Sequence, residues 1–137
     1  MRHSLRSRSR AIRGAALIEA LVGILIFSIG ILGLVGLQAT MTRAQGAAKY
    51  RADAAYLSSE VIGAMWVDKP NRASYATTPG TVCTYQRCAE WVNKVKADLP
   101  QAQVQLSPDP SGAVSLTVTW TSSNEGTRTY ALSTSIQ

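Results

Sequence analysis

The sequence predicts an α+β fold, in which a long N-terminal helix at about residues 15–67 packs on a small antiparallel sheet of about three strands, with one short extra helix. Three observations support this prediction. No proline occurs before position 70, and apolar side chains recur there in helical order. Three segments beyond residue 101 alternate apolar and polar residues, as half-buried strands do. Turn-forming residues separate those segments.

The first half of the long helix is apolar on all sides. From Ala20 to Leu37 the only hydroxyl belongs to Ser28, and this stretch is long enough to enter a bilayer as a helix. An apolar run of this length exceeds that of an ordinary cleaved secretory signal. Residues 1–14 are polar and rich in arginine and serine, which predicts a leader peptide, and the apolar run predicts a transmembrane half-helix at 15–39.

The second half of the helix is amphipathic and belongs to a head domain at 40–137. Its apolar residues recur at spacings of three and four, which places them on one helix face. They are Ala47, Tyr50, Ala54, Leu57, Val61 and Ala64. Pro70 predicts that the helix ends at about Val67.

A loop and a short helix are predicted next. Residues 70–87 predict a loop, because they are rich in threonine, serine, proline and glycine. The short helix is predicted at 89–99, where Trp91, Val95 and Leu99 are four residues apart. Trp91 is predicted to be a core anchor rather than a binding residue.

Three strands are predicted in the last part of the chain. Their inward-facing residues are Ala102, Val104 and Leu106, then Val114, Leu116, Val118 and Trp120, then Tyr130, Leu132 and Ile136. The short connections predict an antiparallel meander. One face of that sheet needs a cover, and the amphipathic half-helix can supply it.

The basic charge is concentrated at the N-terminus. The formal net charge is +6, and the leader holds five arginines and no acid. Without them the chain carries 14 − 5 = 9 basic against 8 acidic residues, so no nucleic-acid-binding face is expected. The positive-inside rule places the N-terminus in the cytoplasm and the head on the other side of a single-pass membrane span.

The residue inventory predicts that the protein is not an enzyme. The only histidine, His3, lies in the leader, so the rest of the chain lacks the commonest general base and metal ligand. We expect no catalytic residue, metal, cofactor or small-molecule substrate. The acids of the head are interpreted as solvated surface charge, and they are Asp68, Glu90, Asp98, Asp109 and Glu125.

Cys83 and Cys88 are the only cysteines. They cannot supply the four ligands of a structural metal site without another thiol or imidazole. A disulfide is favoured over free thiols, because a membrane-anchored head implies an oxidising compartment. Closing so short a loop contributes about 2 kcal/mol to stability.

Glu19 is a charge at the start of the apolar run. A carboxylate at mid-membrane costs roughly 2.5–3.5 kcal/mol and calls for a partner. Cleavage between Gly14 and Ala15 by a membrane-embedded protease would create an α-amine, and the amine of a neighbouring subunit could pair with Glu19. Alternatively, Glu19 lies at the membrane interface and is solvated by headgroups.

Four glycines interrupt the apolar half of the helix, at Gly23, Gly30, Gly33 and Gly36. Each costs up to about 1 kcal/mol relative to alanine in a water-exposed helix. Two interpretations stay open. Glycine is common in membrane helices in general, or these positions let neighbouring helices approach closely or let the helix loosen locally.

The segment Gly-Ala-Ala-Leu-Ile-Glu-Ala-Leu-Val at 14–22 resembles the class III signal of type IV pilins and pseudopilins. Its continuation at 29–38 is similar, more specifically, to the PilV group of minor pilins. The resemblance implies a pilin-like fold, cleavage after Gly14 by a prepilin peptidase, N-methylation of Ala15 and an assembly contact at Glu19. Ala15 departs from the family, in which phenylalanine usually follows the cut.

The resemblance also implies a function. It implies a low-abundance subunit that leaves the inner membrane, joins other minor pilins in a priming or tip complex and starts assembly of the major pilin. A minor pseudopilin of a type II secretion system is the nearest alternative. A tip adhesin or DNA-uptake pilin is another, although the near-neutral head argues against it. A plain signal-anchored periplasmic protein would keep an uncut N-terminus.

Overall fold

A computed structural model of the chain describes the backbone of residues 9–123 and 125–136, and side chains from residue 14 onward. Its helices are α1 (Ser9–Val67), a 3-10 helix (Lys69–Tyr75) and α2 (Gln86–Asp98). Its strands are β1 (Gln103–Pro108), β2 (Ala113–Ser122) and β3 (Gly126–Ser135). The predicted α+β fold is confirmed.

The described residues fall into two compact units, divided between Thr42 and Arg43. The helix α1 contributes to both. It ends at Val67, as predicted, but it begins at Ser9, earlier than the expected start near residue 15. No proline or glycine interrupts Ser9–Arg13, so nothing in that segment breaks a helix. The rest of the predicted leader, residues 1–8, lies outside the described part of the chain.

The core of the second unit lies between the sheet and the C-terminal part of α1. Leu57 and Val61 are buried in it, and Tyr50 is partly buried, as expected for residues of the predicted apolar helix face. Met65 is also fully buried and was not predicted. Met65 lies four positions after Val61 and directly follows the predicted Ala64, so it belongs to the same broad apolar face of the helix.

The sheet is the predicted antiparallel meander, with strand order β1-β2-β3. In β2 the alternation of buried and exposed residues is regular, and Trp120 is only 1% exposed. The third strand differs, because Tyr130 and Leu132 are only partly buried. The other edge strand, β1, keeps Val104 and Leu106 buried, so the core covers the β1 side of the sheet more fully than the β3 side.

The predicted loop at 70–87 is wrong at both ends. Its start forms the 3-10 helix, and α2 begins at Gln86 instead of near residue 89. Pro70 fits the first turn of the 3-10 helix, where a missing N–H is tolerated. Tyr75, in the last turn, is fully buried and anchors the segment to the core.

Gly112, in the turn between β1 and β2, allows the backbone of Ile136 to approach this turn closely. Gly112 has a φ of +100°, and a Cβ at this position would lie 2.7 Å from the carbonyl oxygen of Ile136. The Ile136 N–H donates to the Gly112 carbonyl at 2.8 Å. Arg72 donates from Nη1 to the Ile136 carbonyl at 2.8 Å. Only glycine meets both the conformation and the space that this junction requires.

Candidate assembly site

The first unit exposes a continuous apolar helix surface. Every side chain from Gly14 to Thr42 is exposed. The exposed fraction is 67% for Phe27 and 72% for Leu32. An apolar surface of this extent marks contact with a membrane or with other protein.

A segment of α1 within Gly14–Val67 is long and apolar enough to cross a membrane, judged by length and composition. No side chain in its most apolar stretch is buried within the chain. This property is compatible with a single-pass anchor. It also leaves the whole circumference of the helix available to lipid or to neighbouring helices.

Glu19 is the only charged residue between Gly14 and Thr42. Its side chain is exposed, and none of the side chains that the structure describes forms an ion pair with it. The other polar side chain of this apolar stretch, Ser28, does have a partner, because its hydroxyl donates to the Ile24 carbonyl at 2.7 Å within the same helix. In an apolar environment, the partner that Glu19 requires must therefore come from outside the described chain.

The predicted cleavage residues lie in the same helix. Gly14 and Ala15 are helical and exposed, and a Cβ added at Gly14 would meet nothing within 4 Å. Ala15 lies four positions before Glu19, which is one helical turn. Cleavage and methylation at these residues stay predictions.

The four glycines of the apolar helix segment make no close packing contact within the described chain. A Cβ added at any of them would meet nothing within 4 Å, and they are Gly23, Gly30, Gly33 and Gly36. If they serve close approach, the approaching helix belongs to another molecule. Both interpretations of these residues stay open.

A polar network in the second unit was not predicted. The Asp68 carboxylate accepts hydrogen bonds from the Tyr75 hydroxyl at 3.1 Å, from Asn71 Nδ2 at 2.8 Å and from the Tyr85 hydroxyl. Arg87 Nη1 lies 3.8 Å from the same carboxylate. The interpretation of Asp68 as a solvated surface acid is wrong, since its side chain is only 12% exposed. Asn71 is three residues away, but Tyr85 and Arg87 are 17 and 19 residues away, so no local pattern reveals the whole network.

This network shifts the pKa values of its members. The Tyr85 hydroxyl, followed by the Asn71 amide, lowers the pKa of Asp68 below its ordinary value of 3.8. The hydrogen bond to Asp68 raises the pKa of Tyr85, and burial raises that of Tyr75. The folded state therefore favours a charged carboxylate with two neutral tyrosines around it.

The predicted disulfide is present between Cys83 and Cys88. Both cysteines are buried, and the loop that they close contains Tyr85 and Arg87. Two of the Asp68 partners thus lie on or within a covalently closed turn. The disulfide and the Asp68 network together hold the segment between the 3-10 helix and α2.

A cavity of about 330 Å³ lies between α1 and α2 in the second unit. Its walls include acidic and basic side chains, and the Lys94 ammonium lies 2.7 Å from the Glu60 carboxylate. Trp91 is buried, as predicted, and donates from Nε1 to the Leu57 carbonyl at 2.8 Å. Across the described residues, no group of histidine, cysteine or acidic side chains is arranged to hold a metal ion.

Comparisons of the chain with protein-family models, with curated protein sequences and with solved structures give no match.

Proposed function

We propose that this chain is a minor type IV pilin of the PilV kind, whose N-terminal helix inserts into a priming or tip complex of the pilus. The observation that carries the proposal is one charged residue, Glu19, in an otherwise apolar and fully exposed helix segment. That residue stands five positions after Gly14, in a segment that resembles a class III signal.

In this proposal a prepilin peptidase removes residues 1–14 at the cytoplasmic face of the inner membrane. The cut frees the amine of Ala15, which is then N-methylated. The new chain begins with a cationic terminus, followed one turn later by the Glu19 carboxylate. The head remains in the periplasm until the subunit leaves the membrane.

Assembly then follows from the need to neutralise these two charges. An unpaired charge in an apolar medium is strongly unfavourable, whereas two opposite charges in contact stabilise each other. Pairing Glu19 with the amine of a neighbouring pilin fixes the axial register of the two helices. The exposed apolar side chains meanwhile exchange lipid contacts for contacts with other pilin helices.

The test is deletion of the gene in its native organism, with the intact chain restored as the control. We expect pili and twitching motility to be lost or strongly reduced, and to return on complementation. Normal pili and motility would contradict the proposal. If secreted enzymes instead accumulate in the periplasm of the mutant, the chain is a minor pseudopilin of a type II secretion system.

A further inference from the structure

The segment at 76–85, which joins the 3-10 helix to α2, has little regular structure. It contains neither a helix nor a longer strand, and its one bridge pairs Thr77 with Leu106. The side chains at 78–82 are all exposed, and Val82 is 81% exposed. A segment with so few buried side chains opens at a lower free energy than the sheet does.

The disulfide beside this segment is accessible through one of its two sulfur atoms. Cys88 is fully buried in the first turn of α2, whereas Cys83 is 7% exposed and directly follows Val82. A thiolate of a reducing dithiol therefore attacks Sγ of Cys83, and the S–S bond breaks with its electron pair on Cys88. The second thiolate of the dithiol then displaces Cys83. Two electrons and two protons thus pass from the dithiol to the chain.

The reverse exchange closes the bond. Its oxidant in an oxidising compartment is the disulfide of a thiol–disulfide oxidoreductase, which takes up the same two electrons and two protons. The oxidation state of the pair is therefore set after the head has left the reducing side of the membrane.

The loop that the disulfide closes, residues 83–88, carries two of the partners of Asp68. The Tyr85 hydroxyl donates to the Asp68 carboxylate, and Arg87 Nη1 lies 3.8 Å from it. Asp68 directly follows α1, and its N–H donates to the Ala64 carbonyl at 3.0 Å. Tyr85 directly precedes α2, and its carbonyl accepts the N–H of Ala89 at 2.9 Å. The hydrogen bond between Asp68 and Tyr85 thus joins the end of one helix to the start of the other.

We propose that the Cys83–Cys88 disulfide and Asp68 form a redox-dependent latch between α1 and α2. In the oxidised chain the closed loop holds Tyr85 and Arg87 on the Asp68 carboxylate and fixes the start of α2 to the end of α1. Reduction releases these two contacts and the first turn of α2, while the sheet and the rest of the core stay folded.

The two oxidation states differ in what the contacts with Asp68 cost. The closed loop has few conformations, so Tyr85 and Arg87 reach the carboxylate with little further loss of entropy. In the reduced chain the same contacts must also order the free segment at 76–85. Because such a coupling is reciprocal, contacts that are stronger in the oxidised state also make that state harder to reduce. Asp68 is therefore a positioning residue for the disulfide loop.

The other partners of Asp68 explain why opening stays local. Tyr75 and Asn71 belong to the 3-10 helix, outside the disulfide loop, and donate to the carboxylate at 3.1 Å and 2.8 Å. Tyr75 is also fully buried in the core. These contacts do not depend on the state of the cysteines, so Asp68 keeps two hydrogen bonds after reduction.

The latch is tested by the redox equilibrium of the full chain in detergent micelles. The chain is equilibrated with mixtures of reduced and oxidised dithiothreitol, free thiols are alkylated, and the oxidised fraction is measured by mass. We expect Asp68→Asn and Tyr85→Phe each to shift the equilibrium constant toward the reduced form by about tenfold, as for loss of a hydrogen bond to a charged group. The double variant should shift it no further than Asp68→Asn, because Tyr85 acts through Asp68.

Trp91→Phe is the matched control. It removes the 2.8 Å hydrogen bond from Trp91 Nε1 to the Leu57 carbonyl, and so weakens the head at a residue outside the disulfide loop. A change that only destabilises the fold does not alter the balance between two folded oxidation states, so this variant should keep the equilibrium constant of the unaltered chain. An equilibrium that neither Asp68→Asn nor Tyr85→Phe shifts, or that Trp91→Phe shifts equally, would overturn the proposal.

Hydrogen exchange shows whether the opening is local. In Cys83→Ser/Cys88→Ser the amide of Ala89, which donates to the Tyr85 carbonyl, should exchange about tenfold faster than in the oxidised chain. The amide of Val118, in the central strand β2, should exchange at an unchanged rate. Unchanged exchange at Ala89, or equal acceleration at both amides, would contradict a latch. Neither experiment depends on assembly into pili, so each result stands apart from the test of the proposed function.

Discussion

Replacing Glu19 by alanine is expected to leave the chain in the membrane and to remove it almost completely from pili. The substitution makes the segment more apolar, so insertion is not impaired. In the assembled state it leaves the neighbour's amine without a partner. Breaking a buried pair in this way costs about 3–5 kcal/mol, which lowers incorporation by roughly a hundredfold or more.

Immunoblots of sheared pili and of the membrane fraction measure this effect. Ser28→Ala is the matched control, because Ser28 lies in the same exposed apolar segment but its hydroxyl is bonded to the Ile24 carbonyl. The control should enter pili at the normal level. An alanine variant at position 19 that enters pili as efficiently as the unaltered chain would contradict the pairing role.

Replacing Asp68 by asparagine is expected to lower the melting temperature of the head by several degrees at pH 7. The native carboxylate accepts hydrogen bonds from Asn71, Tyr75 and Tyr85, and a neutral amide replaces these charge-assisted bonds by weaker ones. Asp98→Asn, at an exposed position of α2, is the control and should change the melting temperature little.

The pH dependence of this difference follows from the lowered pKa of Asp68. A carboxyl group whose pKa is lower in the folded state stabilises that state above its unfolded pKa. The stabilisation is lost as the pH falls from about 3.8 through the folded value. The native chain and the variant should therefore converge below about pH 4, as followed by near-UV circular dichroism. A difference that stays constant from pH 7 to pH 3 would show that the charge of Asp68 is not responsible.

Much of the fold is predictable because the sequence patterns that indicate each helix and strand lie within that element or next to it. Pro70 sets the end of α1, and alternation of apolar residues identifies all three strands. The 3-10 helix was missed because its residues have a turn-like composition. The burial of Tyr75 and the hydrogen bond from Arg72 to the Ile136 carbonyl, which hold it in place, form only in the folded chain.

The Asp68 network was missed for a different reason. Tyr75 and Tyr85 reach the carboxylate from positions 7 and 17 residues away, through a turn that the disulfide closes. Such contacts exist only once the chain has folded. Glu19 is the opposite case, since its significance is visible in the sequence as a lone charge in an apolar run. In the proposed function its partner is the amine of a neighbouring subunit, which no pattern within this sequence identifies.

The most direct test of the proposed function is the mass and N-terminal sequence of the chain purified from its native membrane. Leader processing predicts a chain that begins at Ala15 and carries an N-methyl group on its terminal amine. Gly14→Ala should slow this processing and retain residues 1–14, which a shift in gel mobility detects. A native chain that keeps its uncut N-terminus would contradict the assignment of this protein as a pilin.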